Sequence, residues 1–141
     1  MADELHLSRA IADEMVQHCV AGRPNEACGI LASKDGEMVK VFKMTNASAS
    51  PMRYSLDPRE QKAVYDKLED EGWEIGGVFH SHTRTEAYPS PTDVRLAVEV
   101  APYLIVSLAE DPPSIRAFRI LKDNWTDESG DVAEIPVVLD G

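Results

Sequence analysis

Gly76-Gly77-Val78-Phe79-His80-Ser81-His82 reads as a buried strand, and Ser90-Pro91-Thr92-Asp93, beginning after seven further residues, reads as a helix start. Side chains alternate faces along a strand, so His80 and His82 point the same way. Ser90 suits an N-cap, Pro91 the first helical position and Asp93 the third. The polar loop from Thr83 to Pro89 is long enough to fold that helix start back over the strand end.

The same alternation of strand and helix extends in both directions. Upstream, residues 4–7 alternate apolar and polar as a short strand. Ser8 then caps a helix over residues 9–21, whose Ile11, Met15 and Cys19 recur every four positions and face the core. Gly22 and Pro24 end it. Residues 28–33 and 38–43 form a hairpin about Lys34-Asp35-Gly36-Glu37. The small, polar stretch Asn46 to Pro51 is a loop. Asp57-Pro58 begins a helix reaching Leu68, with Val64 and Leu68 buried. Downstream, Val94 and Ala97 are core positions, and Tyr103 to Leu108 is an apolar run typical of a strand covered on both faces. Ser114 to Leu121 and Val132 to Leu139 read as two further strands. The expected class is α/β or α+β, built on a central mixed sheet and formed by residues 1–141 as one domain.

Bulk properties narrow the function. The chain has 141 residues, 43% of them hydrophobic, which is enough for a core without disulfide staples. Fourteen basic against 25 acidic residues give a net charge of −11 at pH 7. No dense Lys/Arg cluster offsets this, so a nucleic-acid or anionic-membrane surface is not expected. No apolar run approaches the ~20 residues of a membrane span. The acidic start Met1-Ala2-Asp3-Glu4 lacks the layout of a signal peptide, so a cytoplasmic location is expected. Two cysteines, Cys19 and Cys28, are too few for a disulfide framework.

Two imidazoles on one strand face and a carboxylate folded back over them make three N/O ligands for one metal ion. A catalytic zinc site has that count, with a fourth position open to water. Zinc would bring the pKa of that water to ~7. Each part also has an ordinary explanation. Asp93 is a good capping residue, and a single strand histidine is more often a hydrogen-bonded core residue than a ligand. The combination favours a metal. A cupin site needs a third histidine downstream of the H-x-H pair, and a cytidine-deaminase zinc site needs a P-C-x-x-C pair; this chain has neither. Hydrolysis further requires a proton carrier. Glu26, just before the strand Ala27-Cys28-Gly29-Ile30-Leu31, is placed to reach the water from a neighbouring strand, although alone it reads as a loop acid.

Glu26 with His80-x-His82-x7-Ser90-x2-Asp93 resembles the JAMM (MPN-plus) metalloprotease family, and the order of elements fits over nearly the whole chain. The resemblance implies a JAMM/MPN domain, a curved mixed β-sheet flanked by helices and cytidine-deaminase-like, binding one Zn²⁺ through His80, His82 and Asp93. It implies Glu26 as the general acid/base, with Ser90 holding the water or stabilising the tetrahedral oxyanion. It also implies cleavage after the C-terminal Gly-Gly of ubiquitin or ubiquitin-like proteins. The stretches Asn25-Glu26-Ala27-Cys28-Gly29 and His80 to Asp93 look most like a bacterial branch acting on a small ubiquitin-like sulfur carrier. There the bond between the carrier's Gly-Gly and a cysteine is hydrolysed, as a step of cysteine biosynthesis. The alternatives are an isopeptidase acting on lysine conjugates and a non-catalytic module that captures Gly-Gly tails. No His or Cys follows His82, so a second zinc site of the kind found in some deubiquitinating members is impossible. A homodimer is compatible with the sequence.

Further candidates surround the motif. Cys28 shares a strand face with Glu26; it either packs or lines the substrate pocket and confers sensitivity to oxidants. Arg53 and Arg84 are candidate partners for the carboxylate of a released amino acid. Thr83, Thr85 and Tyr88 are candidate walls of the cleft.

Overall fold

The computed structural model describes residues 4–140. Met1, Ala2 and Asp3, on which the signal-peptide reading partly rests, lie outside the described residues, as does Gly141. The elements run β1 (Leu5–Ser8), α1 (Arg9–Gly22), β2 (Cys28–Lys34), β3 (Glu37–Met44), α2 (Pro58–Glu71), β4 (Glu74–His82), α3 (Pro91–Leu96), β5 (Tyr103–Ser107), β6 (Ser114–Leu121), β7 (Asp131–Ile135) and β8 (Val137–Asp140). The architecture is α+β. A six-stranded mixed sheet has the order β3-β2-β4-β5-β6-β7, and β1 with β8 forms a separate two-stranded sheet. The β4–β5 pair is parallel, and the other pairs of the large sheet are antiparallel.

Local chemistry sets the turns and caps. Asp35 and Gly36, at φ 53° and 83°, join β2 to β3 as a two-residue hairpin, with Lys34 paired to Glu37. The Ser8 side chain accepts from the Ile11 N–H at the start of α1, and Asp57 accepts from Arg59 and Glu60 at the start of α2.

The centre of the large sheet, β2, β4 and β5, is buried on both faces. On one face, Ala12, Met15 and Cys19 of α1 pack with Leu31, Phe79, Leu104 and Val106. Ile11, read as a core residue, is only partly buried and packs at the margin of this cluster. On the other face, Val64 and Leu68 of α2 cover Cys28, Ile30 and Ala32. Val94 and Ala97, from α3 and its end, cover Val78 and Tyr103 there. His80 and His82 share the face of Val78, so they project toward the side that α2 and α3 flank.

One element departs from the sequence reading. The expected strand from Val132 to Leu139 is two strands broken at Pro136. Proline has no N–H to give to the ladder. Its carbonyl instead accepts the Leu5 N–H at 2.8 Å, and the chain leaves the large sheet to pair with β1.

Candidate metal centre and active site

Three donor atoms converge where β4 ends and α3 begins. His82 Nε2 lies 3.0 Å from Asp93 Oδ2, and His80 Nε2 lies 3.2 Å from the same oxygen. The two Nε2 atoms are 3.2 Å apart. Ligands at the ~2.0–2.2 Å typical of zinc with nitrogen and oxygen stand ~3.3–3.5 Å from one another around a tetrahedron. The triangle is therefore close to the size one such ion requires, and its donor set suits a borderline cation. All three residues are buried.

The supports of each ligand follow from the fold. His82 Nδ1–H donates to the Glu86 carbonyl at 2.9 Å, which leaves the Nε2 lone pair facing the centre. The His80 ring stacks on Tyr54, with centroids 4.3 Å apart and planes 21° from parallel, and its Nδ1 has no partner among the described residues. Asp93 and Ser90 form a reciprocal capping box. Charge is balanced locally. Burial acts to raise the Asp93 carboxyl, but its bonds to both imidazoles outweigh burial and hold it far below the ordinary carboxylate range. Burial lowers His80 despite Asp93. Burial also acts to lower His82, yet Asp93 and the Glu86 carbonyl more than compensate, and it is raised.

Glu26 faces this centre from the neighbouring strand. β2 and β4 pair with Cys28 opposite His80, and the ladder continued by two residues sets Glu26 opposite His82. The continuation is real, because Ser81 N–H donates to the Ala27 carbonyl at 3.0 Å and Ala27 N–H donates to Ser81 Oγ at 2.8 Å. The Glu26 side chain is buried, and Oε1 accepts no hydrogen bond from the described residues. Burial pushes its carboxyl up to about 8, with His82 opposing and Asp93 adding to the shift. A buried carboxyl beside a candidate metal centre, with Oε1 bonded to none of the described residues, is suited to take and return a proton.

The other candidates are placed less closely. Cys28 is fully buried beside His80, its thiol 3.6 Å from the Thr45 carbonyl. Burial, with Glu60 and Glu26 adding, pushes that thiol up to about 12, so it stays protonated. Thr83 is half-buried, whereas Arg53, Arg84 and Thr85 are exposed. Thr85 contributes its carbonyl to Ser107. Tyr88 stands edge-on to Phe118, with centroids 5.3 Å apart, under the guanidinium of Arg116. Tyr54, Asn46 and Ser81 escaped the sequence reading as site residues. Ser81 carried a signal, since the residue between two same-face histidines must point to the opposite face. Tyr54 and Asn46 carried none, because loop tertiary structure brings them in. Beside Tyr54 lies an apolar cavity of about 230 Å³, lined among others by Leu56, Val78, Leu96, Val98 and Tyr103.

Residues 8–121 match the family described as prokaryotic homologues of the JAB domain. The CysO-cysteine peptidase of Mycobacterium tuberculosis is 39% identical over 128 residues, 88% of each chain. A probable TtuB-protein conjugate cleaving protease of Thermus thermophilus is 31% identical over 102 residues, 72% of this chain and 68% of that one. The solution structure of protein DSY2949 from Desulfitobacterium hafniense superposes with a TM-score of 0.82 at 38% identity, covering 96% of this chain and 92% of that one. A structure described as "JAMM: A Metalloprotease-like Zinc Site in the Proteasome and Signalosome" has a TM-score of 0.56 at 15% identity, covering 98% and 99%; that likeness is one of fold. The chain belongs to the family of prokaryotic JAB-domain homologues and is a peptidase, as the relatives it matches are named.

Proposed function

We propose that this peptidase hydrolyses the bond after the C-terminal Gly-Gly of a small ubiquitin-like sulfur carrier, releasing cysteine and the free carrier. The observation that carries the substrate is the 39% identity, over 88% of both chains, to a peptidase named for that cysteine adduct. The chemistry rests on the buried triangle of His80, His82 and Asp93 with Glu26 opposite His82. In this reading residues 1–141 act as one domain, in the cytoplasm.

Zinc is the ion we assign to the triangle, where it supplies Lewis acidity that makes water acidic near neutral pH and polarises a carbonyl. Glu26 takes a proton from the attacking water and returns it to the leaving amine. The hydroxyl adds to the glycine carbonyl carbon, and the C–N bond breaks. Ser90 Oγ already accepts from the Asp93 N–H, so its own O–H is free to donate to the developing oxyanion. The apolar cavity beside Tyr54 offers the extended tail of the carrier a surface leading toward His80.

The test is to incubate the zinc-loaded protein with a carrier ending in Gly-Gly-Cys and follow the intact mass. Loss of one cysteine residue, blocked by a chelator, is expected. An unchanged mass with zinc bound would overturn the substrate assignment. The Thermus relative favours one second reading, cleavage of protein conjugates. Carrier joined to a lysine side chain would then be cut in preference to the cysteine adduct. A module that only captures Gly-Gly tails would retain both substrates uncut, and Glu26→Gln would leave its binding intact.

A further inference from the structure

Glu26 Oε1 accepts no hydrogen bond from the described residues, so the hold on the Glu26 backbone helps to set the aim of the carboxylate. Two elements hold that backbone. Ser81 grips Ala27 from the strand side. From the other side comes the loop between β3 and α2, where Glu26 N–H donates to the Ser50 carbonyl at 2.9 Å. The Asn46 side chain completes the grip, with Nδ2 donating to the Glu26 carbonyl at 2.9 Å.

Asn46 is also the hub of that loop. Its Nδ2 donates to the Arg53 carbonyl at 3.0 Å, with the Ser50 carbonyl more distant at 3.4 Å. Its Oδ1 accepts from the Ser48 N–H at 3.0 Å and the Ser55 N–H at 3.1 Å. One primary amide thus spends both donors and its acceptor on backbone groups. Between Arg53 and Ser55 sits Tyr54, the residue stacked on His80. The loop is anchored at its start as well, because the Glu60 carboxylate of α2 accepts from the Thr45 N–H and hydroxyl, both at 2.7 Å.

We infer that Asn46 is a positioning residue of the peptidase reaction: one amide locks the backbone of the proton carrier Glu26 to the loop that lays Tyr54 over His80. An aspartate there has no N–H to offer the Glu26 and Arg53 carbonyls. An alanine leaves those carbonyls and two N–H groups without their partner. Misplacement of a reacting group by about an ångström can cost ~100-fold in rate.

This inference rests on the peptidase reading, so its test has two arms. Asn46→Ala and Asn46→Ser are compared with the parent, each loaded with zinc and quantified for bound metal. The first arm reads amide hydrogen exchange. Protection is expected to fall at Glu26, Ser48 and Ser55 and to persist at Ser81, which bonds to Ala27 without Asn46. The second arm reads turnover of the Gly-Gly-Cys carrier. A loss in kcat of roughly 10–100-fold per bound zinc is expected, with KM changed less than about 3-fold. Ser48→Ala removes the Ser48–Ser55 hydroxyl bond and leaves the amide on Glu26, so it is expected to keep the parental kcat. Unchanged protection at Glu26 overturns the proposal whatever the activity. So does lost protection with parental kcat, which would make Asn46 a fastener of the loop alone. If Asn46→Ala does not fold, Asn46→Ser decides by the same criteria. A parent inactive on the carrier, with Glu26 protection lost in the variant, would fault the substrate reading and leave the Asn46–Glu26 coupling standing.

Discussion

Ser90 and Asp93 hold each other: Ser90 Oγ accepts the Asp93 N–H at 3.0 Å, and Asp93 Oδ2 accepts the Ser90 N–H at 2.9 Å. The same Oδ2 faces both imidazoles, so helix capping and ligand placement are one arrangement. Removing the Ser90 hydroxyl should therefore act twice. Ser90→Ala is expected to cost about 1 kcal/mol of stability as a lost cap. It is also expected to weaken metal binding by up to about 10-fold, because the hydroxyl that holds the Asp93 backbone is lost while the Ser90 N–H still donates to the carboxylate. Thermal unfolding and competition with a chelating dye measure the two effects. A fall in stability with metal affinity unchanged would show that the cap does not orient the ligand.

Metal removal should be visible without any substrate. A ligand at about 100 times its Kd stabilises the folded state by roughly 2.7 kcal/mol. For a chain of this size that is a rise in Tm of roughly 10 °C. Addition of zinc to metal-free protein is expected to produce this rise. His82→Asn and Asp93→Asn should each abolish it, since two ligands are left in a site built for three. A parental response in Asp93→Asn would remove Asp93 from the ligand set.

The degree to which this site was legible in sequence follows from how local each relationship is. His80 and His82 share a face by strand periodicity alone. Asp93 is tied to a helix start by the residue types around it. The hairpin at Asp35-Gly36 and the helix beginning at Pro58 are equally local, and both form as read. Relationships that depend on two distant segments were not legible from periodicity. Glu26 gained meaning only through the resemblance, because its position opposite His82 is a matter of β2–β4 register. Tyr54 and Asn46 lie in a loop that has no periodic signal. Pro136 shows the converse: the residue was visible, but its apolar flanks suggested one strand where the lost donor makes two.

Gly29 gives a test of the scaffold that supports Glu26. A Cβ at this position would lie 2.3 Å from the Phe42 carbonyl oxygen and 2.4 Å from the Phe79 ring. Backbone on one side and a fully buried ring on the other leave no cheap escape. Gly29→Ala is expected to destabilise by about 3 kcal/mol, the upper end for overpacking. Chemical denaturation measures this, and a loss under 1 kcal/mol would mean that the strand pair yields easily. The residue lies three positions from Glu26, so any variant that still folds should lose turnover through displacement of that carboxylate.

The raised Glu26 carboxyl makes a prediction about pH whose sign is fixed. In the unfolded chain it releases its proton near 4.5, and in the metal-free fold it keeps it to about 8. Between those values the folded state binds more protons, so its stability falls as pH rises. Glu26→Gln cannot ionise and escapes this loss. His82, also raised, loses stability in the same direction as pH rises through its folded pKa. His80 and Asp93, both lowered, act in the opposite sense. All three remain in both proteins, so the difference between parent and Glu26→Gln reports Glu26 together with its coupling to His82. The Tm of metal-free Glu26→Gln is expected to exceed that of the metal-free parent by more at pH 8.5 than at pH 5.5. A gap that stays constant would mean the carboxyl titrates at its ordinary value. With zinc bound, the adjacent positive charge favours the carboxylate, so the pH dependence of the gap should shrink. The same variant should retain zinc and lose turnover by at least ~100-fold, since proton transfer by a placed carboxyl contributes that much.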